Sequence, residues 1–169
     1  MQNYNKKISE MIMDTLQIIA ITLLFAYGIL AVIALFFSDG MIFPNKPSSY
    51  TDNQRIIKIP IENGKTISGI YLPHKRSQYT LLYSHGNYED IGELYPTFED
   101  FQKYGFSVFA YDYPGYGTSD GRATEKGAYA SINAAYEYLV DKLKIKPEKI
   151  IALGKSVGGG PAVDLASRK

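Results

Sequence analysis

The sequence predicts an α/β fold: an antiparallel hairpin leading into a mostly parallel sheet flanked by helices, tethered by one N-terminal transmembrane helix. Three observations predict it. Residues 15–37 contain no charged side chain. Residues 55–72 alternate apolar and polar positions around Asn63-Gly64. From Thr80 to Leu153, short apolar runs alternate with segments of helical period. That is the rhythm of parallel strands joined by right-handed crossovers.

The elements follow in chain order. Residues 1–14 form an N-terminal tail. Thr15 to Phe37 is a 23-residue run of Leu, Ile, Ala, Val and Phe bounded by Asp14 and Asp39. A membrane-crossing helix needs about 20 apolar residues, so the run is long enough. Its exit, Ala34-Leu35-Phe36-Phe37-Ser38-Asp39, has bulky residues where signal-peptide cleavage needs small ones, so it reads as an uncleaved single-pass anchor. Lys6 and Lys7 precede the run and Lys46 follows it. That margin of one charge points the N-terminus to the cytoplasm. Residues 38–54, with Asp39-Gly40, Pro44, Pro47 and Ser48-Ser49, read as a juxtamembrane linker.

Residues 55–169 form the folded domain. Ile57, Ile59 and Ile61 share one strand face, and Asn63-Gly64 is a strong two-residue hairpin signal before a second strand, Lys65 to Leu72. Thr80 to Ser84 is a short apolar strand. Ile91 to Tyr104 is helical, with Ile91, Leu94, Tyr95, Phe98 and Phe101 on one face and Gly105 ending it. Phe106 to Tyr111 is a strand, and Pro114 to Gly121 is a loop. Thr124 to Leu143 is a helix with Tyr129, Ile132, Tyr136, Leu139, Val140 and Leu143 inward. Lys149 to Leu153 reads as a buried strand.

Composition narrows the function classes. A net charge of +1 without a basic stripe gives no sign of nucleic-acid binding. The absence of cysteine excludes disulfides, thiolate metal sites and a cysteine nucleophile. No metal or organic cofactor is implied.

Gly154-Lys155-Ser156-Val157-Gly158 fits G-x-S-x-G, the sharp strand-to-helix turn that presents a nucleophilic serine. Gly154 and Gly158 leave room for that turn, and Ser156 takes its strained conformation. Two further blocks stand upstream: Leu82-Tyr83-Ser84-His85-Gly86-Asn87 and Tyr111-Asp112-Tyr113-Pro114-Gly115-Tyr116-Gly117. In order and spacing the three blocks resemble the third, fourth and fifth strands of the α/β-hydrolase superfamily. The likeness covers residues 55–169, the first half of that fold. His85-Gly86-Asn87, Glu89-Asp90-Ile91-Gly92 and the N-terminal anchor resemble the membrane-anchored ABHD-type group, which includes protein depalmitoylases and belongs to the serine aminopeptidase S33-like clan.

The resemblance implies a serine hydrolase acting on an acyl ester, thioester or amide, with Ser156 as nucleophile. Its oxyanion donors would be the backbone N–H groups of Val157 and Asn87. His85, Gly86, Gly154 and Gly158 would support the site, His85 by bracing the oxyanion loop. His74 reads as an exposed loop histidine, Asp112 as a partner for loop backbone, and the tyrosines as half-buried packing residues. Asp164 falls behind the serine on the following helix. Membrane attachment points to a lipid-like, acylated or small-molecule substrate, with the bilayer as a partner.

In this fold the acid and histidine of the triad follow the serine. No histidine follows Ser156, and the sequence ends 13 residues after it. The chain therefore reads as truncated after the nucleophile turn and inactive alone, complemented by a C-terminal half where one exists. The alternative is a non-catalytic membrane protein or the remnant of a split hydrolase gene. Two nucleotide motifs fail. A G-x-x-x-x-G-K-[ST] loop would need glycine where Lys149 stands, and a G-x-G-x-x-G starting at Gly158 would need it at Val163.

Overall fold

The computed structural model describes residues 2–44 and 46–169; Met1 of the expected tail and Asn45 of the expected linker lie outside the described residues. The chain divides into two compact units, Met1–Ser38 and Asp39–Lys169.

The first unit is one element. Helix α1 runs Gln2–Ile42, so the expected tail is helical from Gln2. No proline interrupts residues 2–42, and the helix propagates outward from the apolar run in both directions. Leu24, Phe25, Leu35 and Phe36 are strongly exposed. Thr15 and Thr22 return their hydroxyls to the carbonyls of Met11 and Ile18, each at 2.8 Å, so neither presents an unpaired donor on this apolar surface.

The second unit is built on a five-stranded sheet. Its strands are β1 (Ile57–Pro60), β2 (Thr66–Leu72), β3 (Thr80–Ser84), β4 (Ser107–Tyr111) and β5 (Ile150–Gly154), in the order β1-β2-β4-β3-β5. β1 with β2 and β2 with β4 are antiparallel; β3 pairs in parallel with both β4 and β5. Helices α2 (Tyr95–Lys103), α3 (Glu125–Glu137) and α4 (Gly159–Arg168) cover it. The β3-to-β4 crossover steps one way along the sheet and the β4-to-β5 crossover steps back. Right-handed connections therefore put α2 and α3 on opposite faces. Side-chain alternation agrees. Leu81, Tyr83, Val108 and Ala110 meet Phe98, Leu94 and Ile91 on one face. Leu82, Phe109 and Tyr111 meet Ile132, Leu139 and Leu165 on the other.

Four expectations need correction. The first hairpin turns through a 3₁₀ turn at Glu62–Gly64, with Gly64 at positive φ, so the loop is a wider one than a two-residue turn. Helix α2 begins at Tyr95, because Pro96 suits the first turn of a helix and not its interior; residues 91–94 are turns. Helix α3 starts where Thr124 caps it, accepting the Gly127 N–H at 2.9 Å. Its last turn, Tyr138–Lys142, widens into a π-helix, and Lys144 then adopts φ 57°. Finally, β5 is an edge strand bonded on one side only, and Ile151 is 40% exposed.

The linker reading of residues 38–54 is also overturned. From Asp39 onward these residues belong to the second unit, and Phe43 is buried against Tyr113.

Candidate functional site

The register brings Ser84, Tyr111 and Gly154 level, so the carboxyl ends of β3, β4 and β5 open their loops side by side. Open α/β sheets bind ligands outside those ends. All three sequence blocks meet there.

At the end of β5 the chain reverses through Ser156, which has φ 52°, a left-handed conformation that costs a non-glycine residue about 1–3 kcal/mol. Its flanks explain how the turn closes. A Cβ on Gly154 would stand 2.2 Å from the Gly158 carbonyl oxygen, and one on Gly158 would stand 2.2 Å from that of Ser84. The turn is therefore pressed onto the end of β3 and fastened by Lys155 N–H to Ser84 O at 3.0 Å and Gly158 N–H to Lys155 O at 2.9 Å. Ser156 itself is exposed.

The β3 loop is arranged from beneath. His85 is buried, between the rings of Tyr113 and Tyr116. Its Nδ1 lies 2.7 Å from the Gly86 carbonyl, which can only accept, so Nδ1 donates. In a trans peptide the N–H points opposite to the C=O. Holding Gly86 O inward therefore turns the Asn87 N–H outward. Tyr116 donates to Asn87 O at 2.6 Å and Tyr113 to His85 O at 2.8 Å, pinning both ends of the tripeptide. His85 Nε2 lies 3.2 Å from Asp112 Oδ1, outside hydrogen-bond geometry. Nδ1 is thus engaged by Gly86, and Nε2 is enclosed in the interior beside Asp112.

Asp112, wholly buried, accepts the Ile91 N–H at 2.9 Å, the loop-backbone role that its sequence context suggests. It also accepts the hydroxyl of Tyr50. Tyr50 belongs to a strap, residues 46–52, laid across the β3 loop. Lys46 pairs with Glu93, Ser49 N–H donates to Asp90 Oδ2 at 2.7 Å, and Asp52 pairs with Lys58 at 3.0 Å. Gly92 and Gly117 make room for it: a Cβ on Gly92 would stand 2.5 Å from Ser49 Oγ, and one on Gly117 would stand 2.5 Å from the Tyr50 hydroxyl oxygen. Burial pushes the Asp90 carboxyl up, but the Ser49 and Glu93 hydrogen bonds outweigh it and hold the group below its ordinary value.

Sequence reasoning missed this strap. It also missed an ion pair between Lys155 and Glu89, which ties the serine turn to the β3 loop while Glu89 Oε2 accepts the Gly86 N–H at 3.0 Å. Burial raises Glu89, and the Lys155 ammonium and the Gly86 N–H more than compensate, leaving it depressed. Tyr113 and Tyr116 are fixed parts of the site and not half-buried packing. Two further acids, Asp120 and Asp164, lie apart. Asp120 accepts the Thr66 N–H at 2.9 Å, and Asp164 pairs with Arg168 at 2.6 Å on α4. His74 is half-buried and its Nδ1 is enclosed, so it is not the exposed loop histidine expected.

The family "Serine aminopeptidase, S33" matches residues 75–169, more than half of the chain and all three strand-end loops. The chain belongs to that family of α/β-hydrolases. Among its relatives, the alpha/beta hydrolase domain-containing protein 17C of Mus musculus is 45% identical over 93 residues, 54% of this chain and 29% of that protein. The alpha/beta hydrolase domain-containing protein aho-3 of Caenorhabditis elegans is 46% identical over 101 residues, 57% of this chain and 30% of the relative. The matched stretch thus spans under a third of these relatives' length. The crystal structure of an alpha-beta hydrolase from Vibrio vulnificus superposes with a TM-score of 0.62 at 27% identity, over 77% of this chain and 50% of that one. The chain therefore shares its fold with part of a solved α/β-hydrolase.

Proposed function

We propose that this hydrolase is a membrane-anchored serine hydrolase of acyl esters, thioesters or amides, with Ser156 as nucleophile and the Val157 and Asn87 backbone N–H groups as oxyanion donors. The observation that carries the reading is the left-handed Ser156 in a glycine-flanked turn, pressed against a loop that aims the Asn87 N–H outward. A tetrahedral intermediate needs such preorganised donors, and removing one typically costs about 10²–10³ in kcat. Lys155, Glu89, Tyr113, Tyr116 and His85 hold the two donors in one frame.

A base must take the serine proton as it attacks. His85 has both nitrogens turned inward and is a positioning residue. No other histidine except His74 is present, and His74 sits at the amino-terminal end of the sheet. The base therefore comes from outside these 169 residues. The chain alone is expected to resist labelling by a fluorophosphonate probe. Joined to the further length that its relatives carry, it should be labelled, and Ser156→Ala should abolish that signal. Rapid labelling of the chain alone at Ser156 would place the base within it. An unlabelled longer protein would favour a non-catalytic role.

The bilayer is the proposed partner of α1, whose uncharged 23-residue run extends about 35 Å as a helix against a hydrocarbon core of about 30 Å. Alkaline carbonate should leave the protein in the membrane pellet, and recovery in the supernatant would refute the anchor. Residence at a membrane favours lipid-like or acylated substrates.

A further inference from the structure

We propose that a pocket at the amino-terminal ends of β3 and β4, the end of the sheet away from Ser156, binds a phosphate-bearing ligand. Its volume is about 450 Å³, and it is lined by His74, Tyr71, Tyr79, Ile145, Lys146 and Lys149, with Thr80 and Ser107 at the strand starts. That is the size of a small-molecule site.

Three observations converge on an anion. The first is an enclosed imidazole nitrogen: His74 Nδ1 is buried and has no hydrogen-bond partner among the described residues, while its backbone N–H is fixed to Ser107 Oγ at 3.0 Å. Buried polar atoms are nearly always paired, and this unpaired one belongs to a side chain that lines the pocket. The second is the distribution of charge. The two loops that form the pocket, residues 73–79 and 142–149, carry Lys75, Arg76, Lys142, Lys144, Lys146 and Lys149 against one carboxylate, Glu148. Among the described residues none of these six cations forms an ion pair, whereas Lys46, Lys58, Lys103, Lys126, Lys155 and Arg168 all do. Six cations without an ion pair among the described residues thus stand in these two loops against a single carboxylate. The third is that Lys149 Nζ rests 5.0 Å from the Tyr79 ring centre, which holds the ammonium at the pocket wall.

A carboxylate would neutralise only one of these cations. A phosphomonoester carries about −1.5 to −2 and three strong acceptor oxygens, matching two ammonium groups and an imidazole. Tyr71 and Ile145 offer an apolar wall for the organic part of the ester. A soluble phosphomonoester and an anionic lipid headgroup share this chemistry.

The chain contains two histidines, and His85, enclosed at the opposite end of β3, is an internal control. With the full chain in zwitterionic micelles, the histidine ring signals are followed by NMR while phenyl phosphate or inorganic pyrophosphate is added. A parallel series adds phosphatidic acid to the micelles. The His74 signals should shift saturably while those of His85 stay in place. Lys146→Gln with Lys149→Gln should weaken binding about tenfold or more, the scale of losing charge-assisted hydrogen bonds. Unchanged His85 signals in that double variant report an intact fold. Response to phenyl phosphate assigns a soluble ester as sufficient; response to phosphatidic acid alone assigns the headgroup. No shift of His74 with any probe, equal shifts at both histidines, or undiminished binding in the double variant would overturn the proposal.

Discussion

Gly158→Ala is expected to destabilise the domain by about 3–4 kcal/mol and to collapse the turn that presents Ser156. Overpacking a well-packed region costs about 1–3 kcal/mol when side chains can shift. Here the obstacles are backbone atoms. The new Cβ would stand 2.2 Å from Ser84 O and 2.7 Å from His85 O. Neither can retreat freely, because Ser84 O accepts the Lys155 N–H and β3 is bonded on both sides. Losing that hydrogen bond adds about 0.5–1.5 kcal/mol. The sum is a large share of the 5–15 kcal/mol that stabilises a typical protein. Gly159→Ala is the matched control. Beyond its own helix and chain neighbours, nothing lies within 4 Å of the Cβ that alanine would add there. Alanine also favours helix, and Gly159 opens α4, so the change should be neutral or slightly stabilising. Denaturant midpoints of the two variants in detergent decide the matter; equal midpoints would mean that the turn is not held as tightly as the contacts indicate.

At high pH the domain is expected to unfold cooperatively, driven by buried phenols. Burial raises Tyr50, Tyr111, Tyr113 and Tyr116 above their ordinary value, Tyr116 to about 12, and the Asp112 carboxylate raises Tyr50 further. A folded value above the unfolded one, about 10, means that the folded state keeps protons the unfolded chain has released. The stabilising contribution is therefore complete below about pH 10 and is lost as pH rises through about 12 and beyond. Near-ultraviolet circular dichroism should be lost in one step within that window, together with the last part of the phenolate absorbance, which reports the buried phenols. Complete ionisation of every phenol by about pH 12 with the dichroism unaltered would contradict the burial argument.

Local pattern made much of this molecule legible. Alternating Ile57, Ile59 and Ile61, the run Thr80–Ser84 and the spacing of Phe98 and Phe101 each report a one-sided apolar surface, and that periodicity depends only on neighbours along the chain. Gly154 and Gly158 revealed the serine turn because only a steric requirement explains both. What stayed hidden depends on partners far away in sequence. The strap at Lys46–Asp52 reads as linker because its proline and serines also suit a loop, and its partners Glu93, Asp90 and Asp112 lie more than 40 residues on. The Lys155–Glu89 pair is equally nonlocal. Tyr111, Tyr113 and Tyr116 do carry a signal. Clustered at and just past a strand end, they suggest hydroxyls that turn inward toward a neighbouring loop.

The strap also determines where the protein can be cut. Removing an apolar N-terminal helix ordinarily means starting at the first recognisable strand, which here would be near Arg55. Such a protein would discard Tyr50 and Ser49, leave the Asp112 and Asp90 carboxylates short of donors, and uncover the groove that Gly92 and Gly117 keep clear. It would also lose Phe43 from beside Tyr113. A version without the apolar run should therefore start at Asp39, and the order of its strand-end loops would be decided by the same few residues upstream of the first strand.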